Sequence, residues 1–247
     1  MNAFRHGTSR VILAVVASIG LLLLAPARAG LVISQVYGGG GNTGATYTND
    51  FIELFNDDGI AVSLNGLSVQ YASATGTGLF GSATNLRTEL PNVLLQPWHY
   101  FLIQEAIGAG GTTPLPTPDL IDGTPINMSA TAGKVALVSG TSSLGCNGGS
   151  TPCSTAQLAL ILDLVGYGNA NFFEGTGAAP TLGNTTAALR INEPFGSLQD
   201  TNDNSVDFIE LAPNPRNTAS PRNVPEPATL ALLALGLAGL GFSRRRQ

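Results

Sequence analysis

The chain has 247 residues, with 11 Lys or Arg against 16 Asp or Glu, for a formal net charge of −5 at pH 7. Setting aside its two ends removes six arginines and one glutamate, so the middle keeps five basic and fifteen acidic residues and a charge near −10. An acidic surface without a Lys/Arg stripe repels phosphate backbones and releases no counterions, which argues against electrostatic binding of DNA or RNA.

The N-terminal end reads first. Met1 to Arg10 holds Arg5 and Arg10 and no acid, an apolar stretch runs from Val11 to Leu24, and Ala27-Arg28-Ala29 precedes Gly30. A charged start, apolar middle and A-x-A end make a secretory signal peptide, cut by signal peptidase after Ala29. An uncleaved membrane anchor is the plainer alternative, and the complete cleavage pattern speaks against it.

About 195 residues lie between this leader and the C-terminal end, enough for one sizeable core. Strand-like runs recur through them: Leu31 to Tyr37, Asp50 to Asn56, Gly66 to Ala72, His99 to Glu105, Lys134 to Gly140 and Leu158 to Gly168, with shorter ones at Ala187 to Ile191 and Asp207 to Leu211. They are rich in Val, Ile, Leu or aromatics and bounded by Gly, Asn, Asp or Pro, with no helical period beside them. That pattern predicts an all-β antiparallel sandwich with long loops at Ser73 to Pro97, Ala106 to Gly133 and Gly168 to Thr186. "NDFIEL" (Asn49 to Leu54) is echoed by "VDFIEL" (Val206 to Leu211), which reads as a chance likeness of two strands. Cys146 and Cys153, the two cysteines of the chain, sit in "CNGGSTPC", and in an exported protein a local disulfide is expected of them.

The blocks "VISQVYGGGGN", "NDFIELFN", "VSLNGLSVQYAS", "FLIQ", "GKVALVSG" and "LDLVGYG" follow one another from Val32 to about Gly168. In that order they resemble the lamin-tail domain of exported bacterial proteins, and Asn184 to Asn217 resembles a segment that closes such domains. The resemblance implies an immunoglobulin-like β-sandwich spanning residues 30–220.

The C-terminal end holds Val224-Pro225-Glu226-Pro227, an uncharged apolar run from Ala228 to Phe242, and Arg244-Arg245-Arg246. As a helix at about 1.5 Å per residue the run spans ~22 Å, short of the roughly 20 residues of a stable membrane span. In composition and order residues 224–247 resemble the PEP-CTERM sorting signal. That implies transient anchoring in the inner membrane, arginines on the cytoplasmic side, and cleavage near Pro225 to Pro227 by an exosortase. The resemblance also implies transfer to the cell surface or extracellular matrix, whereas an ordinary tail anchor would imply membrane retention.

Little in the middle can carry catalysis. Outside the leader the chain has one histidine, His99, in "PWHYFLIQ", with no G-x-S-x-G elbow to accompany it, and it reads as a packing residue. Gly39, Gly41 and Gly44 fit G-x-G-x-x-G, but another strand follows where a dinucleotide site needs a helix, so the glycines read as a flexible hairpin connection. Asp200, Asn202, Asp203, Asn204 and Asp207 offer the hard oxygen ligands of calcium, although an Asx-rich turn leading into a strand is the plainer reading and the EF-hand pattern fails at Ser205 and Leu211. Glu53 lies between Phe51 and Phe55 on one face of its strand. If both faces are covered it needs a partner, with Arg190 a candidate, and an edge strand or loop mouth is the plainer reading for it and for Asp163.

Together these features describe an exported, non-catalytic protein with a structural or adhesive role, binding exopolysaccharide or a surface protein and taking no cofactor unless calcium binds. The rival is an accessory domain for extracellular nuclease or phosphoesterase activity.

Overall fold

Leu31–Tyr37 (β1) and Asn49–Asn56 (β2) bury every one of their residues, which only a strand covered on both faces can do. A computed structural model describes residues 30–193 and 196–220, and its layers supply that cover. The leader up to Ala29 and the C-terminal sorting segment, with both of their expected helices, lie outside the described residues. Among the described residues no helix is long and apolar enough to cross a membrane.

Ten further strands follow in chain order: Val62–Ser63 (β3), Leu67–Ser73 (β4), Arg87–Glu89 (β5), Leu94–Leu95 (β6), Tyr100–Ile107 (β7), Leu120–Ile121 (β8), Gly133–Ser139 (β9), Ile161–Tyr167 (β10), Ala187–Arg190 (β11) and Phe208–Leu211 (β12). Two four-residue helices, Thr155–Leu158 (α1) and Asn204–Asp207 (α2), and a 3-10 turn at Thr84–Leu86 complete the list. A six-stranded sheet in the order β12-β11-β1-β2-β7-β8 faces a four-stranded sheet, β10-β9-β4-β5, while β3 and β6 pair by themselves. The all-β sandwich expected from the strand pattern is therefore the architecture. One pairing departs from the antiparallel expectation: β8 runs parallel to β7, with Ile103 opposite Leu120.

Alternation along the strands assigns the layers. Ile33, Val36, Ile52, Leu54, Phe101 and Ile103 from the larger sheet meet Val69, Tyr71, Val135, Leu137, Val165 and Tyr167 from the smaller one. The other faces are apolar too. Ala136 and Val138 pack outward with Phe80, Leu144 and Cys146, under the loop that the Cys146–Cys153 disulfide closes. On the far side of the larger sheet, Tyr37, Phe51 and Leu102 pack with Leu115, and Val32, Phe55 and Tyr100 with Leu198. Loops, rather than helices, form this third layer.

The glycine run after β1 is packed backbone against backbone, which corrects the expectation of a flexible connection. A Cβ on Gly40 would fall 1.9 Å from the carbonyl carbon of Asn49, and Gly41 has φ +67° with a Cβ position 2.2 Å from Gly108 N.

Candidate functional site

The acidic run that offered ligands for calcium, or an Asx-rich turn, is organised around a cation that the chain itself supplies. Arg190, at the end of β11, is fully buried and uses all three of its nitrogens. Nη2 donates to both oxygens of Asp163 at 2.8 and 2.7 Å, Nη1 donates to Gln199 O and Asp200 Oδ1, and Nε donates to Ile33 O at 2.9 Å. Asp163 in turn accepts the Ile33 N–H at 2.6 Å. The β1–β2 register shifts between Ile33 and Gln35, and the ion pair takes up both backbone groups of Ile33 at that bulge. Burial pushes the Asp163 carboxyl up, with Arg190 pulling against it. Burial would lower Arg190, and the surrounding carboxylates outweigh this and raise it.

The rest of the acidic run is equally committed. Asp203 caps α2 and, held by Ser205 and Thr176, lies well below the usual carboxylate range. Asp207 accepts the Thr201 N–H and hydroxyl, with one oxygen 3.7 Å from Arg190. The Asn204 amide accepts from Gly166 N and donates to Leu164 O, both at 2.8 Å, standing in for a neighbouring strand along the free edge of β10. Asn202 sits exposed at φ +56°. Among the described residues no three or more His, Cys, Asp or Glu side chains converge so as to hold a metal ion.

Glu53 is neither on an edge strand nor at a loop mouth. It lies at the centre of β2, fully buried, and its partner is Arg216 rather than Arg190. Burial pushes the Glu53 carboxyl up, opposed by Arg216, whose Nη2 lies 2.7 Å from Oε1 and whose backbone N–H donates to Oε2 at 2.6 Å. Asp163 does sit on an edge strand, β10, yet is buried.

Arg216 belongs to a strap, residues 212–218, that crosses the outer face of the larger sheet. Asn214 exchanges two hydrogen bonds with Gln35 of β1, Arg216 holds Glu53 of β2 and donates to the Tyr100 hydroxyl of β7, and Thr218 donates to Asp119, just before β8. The strap thus carries the chain from the β12 edge to the β8 edge, where the described residues stop at Ser220.

At that same edge a polar cleft of about 210 Å³ is lined by Thr84, Arg87, Glu89, Asp122 and Thr124. Behind it, Thr88 Oγ1 lies 2.7 Å from Glu105 Oε1 and 2.8 Å from Asp122 Oδ2. A hydroxyl has one proton to donate, so the second contact needs a proton from an acid. Burial pushes Glu105 up to about 8, which keeps it protonated at neutral pH as donor to Thr88. Of the sequence motifs, none pointed to this cleft: its residues come from the β5 hairpin and the turn after β8, in stretches read as loops.

His99 is half-buried in the turn from Gln96 to His99, whose Trp98 has φ +62°. Cys146 and Cys153 form a disulfide. Gly30, the first residue after the expected cleavage, accepts the Asp57 N–H through its carbonyl and leaves no room for a Cβ beside Asp58. Ala27, Ala29, Pro225, Glu226, Pro227 and Arg244 to Arg246 lie outside the described residues.

No curated protein matches this chain. Among solved structures it is similar to a DUF4876 family protein from Bacteroides thetaiotaomicron, at 13% identity over 81% of this chain and 75% of that one, with a TM-score of 0.47, too distant to argue from. Residues 223–246 match the model of the PEP-CTERM protein-sorting motif. The chain therefore carries a signal for export and for processing by an exosortase at the membrane.

Proposed function

We propose that this is a non-catalytic protein of the cell surface or extracellular matrix, whose sandwich has a structural or adhesive role in binding a glycan or another protein. The sorting motif at 223–246 carries the reading. The lamin-tail resemblance of Val32 to about Gly168 supports it and gives the sandwich an immunoglobulin-like type. The distribution of charge narrows the partner. Lys134 is buried against Asn147 O, Asn171 and the Phe80 ring, Arg190 and Arg216 are taken up by internal carboxylates, and the exterior is left acidic. An acidic exterior favours neutral or basic partners over polyanions.

Mass spectrometry of the protein recovered separately from membrane, surface and medium tests the reading. A C-terminus near Pro225 to Pro227 in the surface or medium fraction is expected. An intact Gln247 confined to membranes would overturn the extracellular role, and nuclease or phosphodiesterase turnover lost on chelation would overturn the non-catalytic one.

A further inference from the structure

We propose that the polar cleft at the β5/β8 edge binds one neutral sugar ring of a glycan, Arg87 donating to its hydroxyls and Asp122 accepting from them. This rests on the surface-binding reading above and names the ligand class and the place.

Three arginines among the described residues set the contrast. Arg190 and Arg216 engage every nitrogen with protein acceptors. Arg87 makes a single hydrogen bond, Nη1 to Gly81 O at 2.9 Å. Its Nη2 stands 3.9 Å from Glu89, beyond hydrogen-bond range, and its Nε is the one buried side-chain nitrogen or oxygen among the described residues with no partner. Nε is closed off from a ligand, whereas Nη2 is accessible and has no acceptor within hydrogen-bond range, so in a domain that satisfies its other arginines completely it is the donor left open to an acceptor from outside the chain.

The rest of the lining selects that acceptor. Asp122 and Glu89 flank Arg87, so a carboxylated or sulfated ligand meets two like charges for each opposite one. A metal ion meets Arg87 itself. An apolar ligand finds no apolar side chain in the lining. A sugar hydroxyl both accepts and donates, and a vicinal pair can take a proton from Arg87 while giving one to Asp122, with Thr84 and Thr124 supplying further hydroxyl contacts. Asp122 is prepared for this: Thr88, itself served by Glu105, donates to Oδ2, and the Thr124 N–H donates to Oδ1. At about 210 Å³ the cleft is below the roughly 300–1,000 Å³ of pockets for drug-sized ligands, so it takes one ring.

The test uses the processed, ¹⁵N-labelled protein and follows the arginine Nε–Hε resonances during titration with glucose, galactose, mannose and N-acetylglucosamine, and with galacturonate as a charged comparator. At least one neutral sugar is expected to shift the Arg87 resonance saturably while Arg190 and Arg216 stay still. Asp122→Asn is expected to weaken that binding about tenfold, the loss of one charge-assisted hydrogen bond. Arg87→Lys, which keeps the charge but loses the planar fork, should weaken it similarly, with unchanged thermal unfolding as the control for folding. Absence of any shift, a shift with galacturonate alone, or equal binding by both variants would overturn the proposal. If the Arg87→Lys protein still binds cells or matrix as the parent does, the cleft assignment fails while the surface role stands on another part of the domain.

Discussion

The pentapeptide Asp-Phe-Ile-Glu-Leu occurs twice, at Asp50 to Leu54 in β2 and at Asp207 to Leu211, the last residue of α2 and the whole of β12. In β2, with strands on either side and cover on both faces, Phe51, Ile52, Glu53 and Leu54 are all fully buried. In β12, at the sheet edge, Phe208 is buried but Ile209 is 44% and Leu211 49% exposed, and Glu210 lies in solvent beside Thr186. Identical local chemistry therefore meets opposite surroundings. Burial here belongs to the neighbours, and so does the energy attached to each residue.

Paired substitutions can break that contrast. Ile52→Ala is expected to destabilise the domain by about 2–5 kcal/mol and Ile209→Ala by about 0.5 kcal/mol or less, read as midpoints of urea unfolding. Equal losses at the two sites would mean that the β12 edge is covered in solution. Next in size is the ion pair that only the β2 copy needs. Arg216→Ala leaves Glu53 without its cation and is expected to cost about 2–3 kcal/mol, toward the low end for a broken buried pair because a fifth of the Arg216 side chain meets solvent. Glu210→Gln, at the equivalent position of β12, should stay within about 0.5 kcal/mol.

A pH dependence, modest over any one pH unit, separates buried acids that have a cation from those that do not. Burial pushes Asp50 up to about 7 and Glu105 to about 8, each held by N–H or hydroxyl groups rather than by a base. Their folded values exceed their unfolded ones, so between roughly pH 4.5 and 7 the folded state keeps protons that the unfolded state has lost. Their contribution is full below that window and falls as pH rises, levelling off above about 8. Glu105→Gln mimics the protonated acid toward Thr88 and the Ile126 N–H. It should flatten the decline by about 1.4 kcal/mol per pH unit across this range, in unfolding experiments repeated from pH 5 to 8. An unchanged slope would place the proton elsewhere.

The sequence was legible where side-chain alternation ran long enough to repeat. All eight expected strands are present, several within a residue of their anticipated ends, because their apolar faces are set by period and composition. The strands it did not announce, β3, β5, β6 and β8, are two or three residues long, too short to show a period; β5 and β8 exist because a longer neighbour pairs with them, and β3 and β6 because they meet each other. Covering both faces of β2 did imply that Glu53 needs a partner. The choice between Arg190 and Arg216 depended on a contact 163 residues away that no local pattern encodes. The Asx-rich run was legible as a turn leading into a strand, but not as the surroundings of a guanidinium: the same oxygens that suit calcium also cap helices, and Arg190 meets them from across the sheet. The cleft was invisible because its threonines and charges are scattered through two turns.

The strap also sets how the domain would answer to tension. In a protein held by its C-terminal end, Pro225 lies seven residues beyond Thr218, so a pull arrives at the strap before it arrives at β12. Drawn along the sheet, the anchors at Gln35, Glu53 and Asp119 share the pull in shear; lifted away from it, they release one at a time. Release frees seven residues, at most about 24 Å of chain including the span they already cover, without opening either sheet. Single-molecule extension should show that short early step before the main unfolding event, and lose it in Arg216→Ala. The domain then carries its own slack, an extensible link between a fixed attachment point and a sandwich that stays folded while the link gives way.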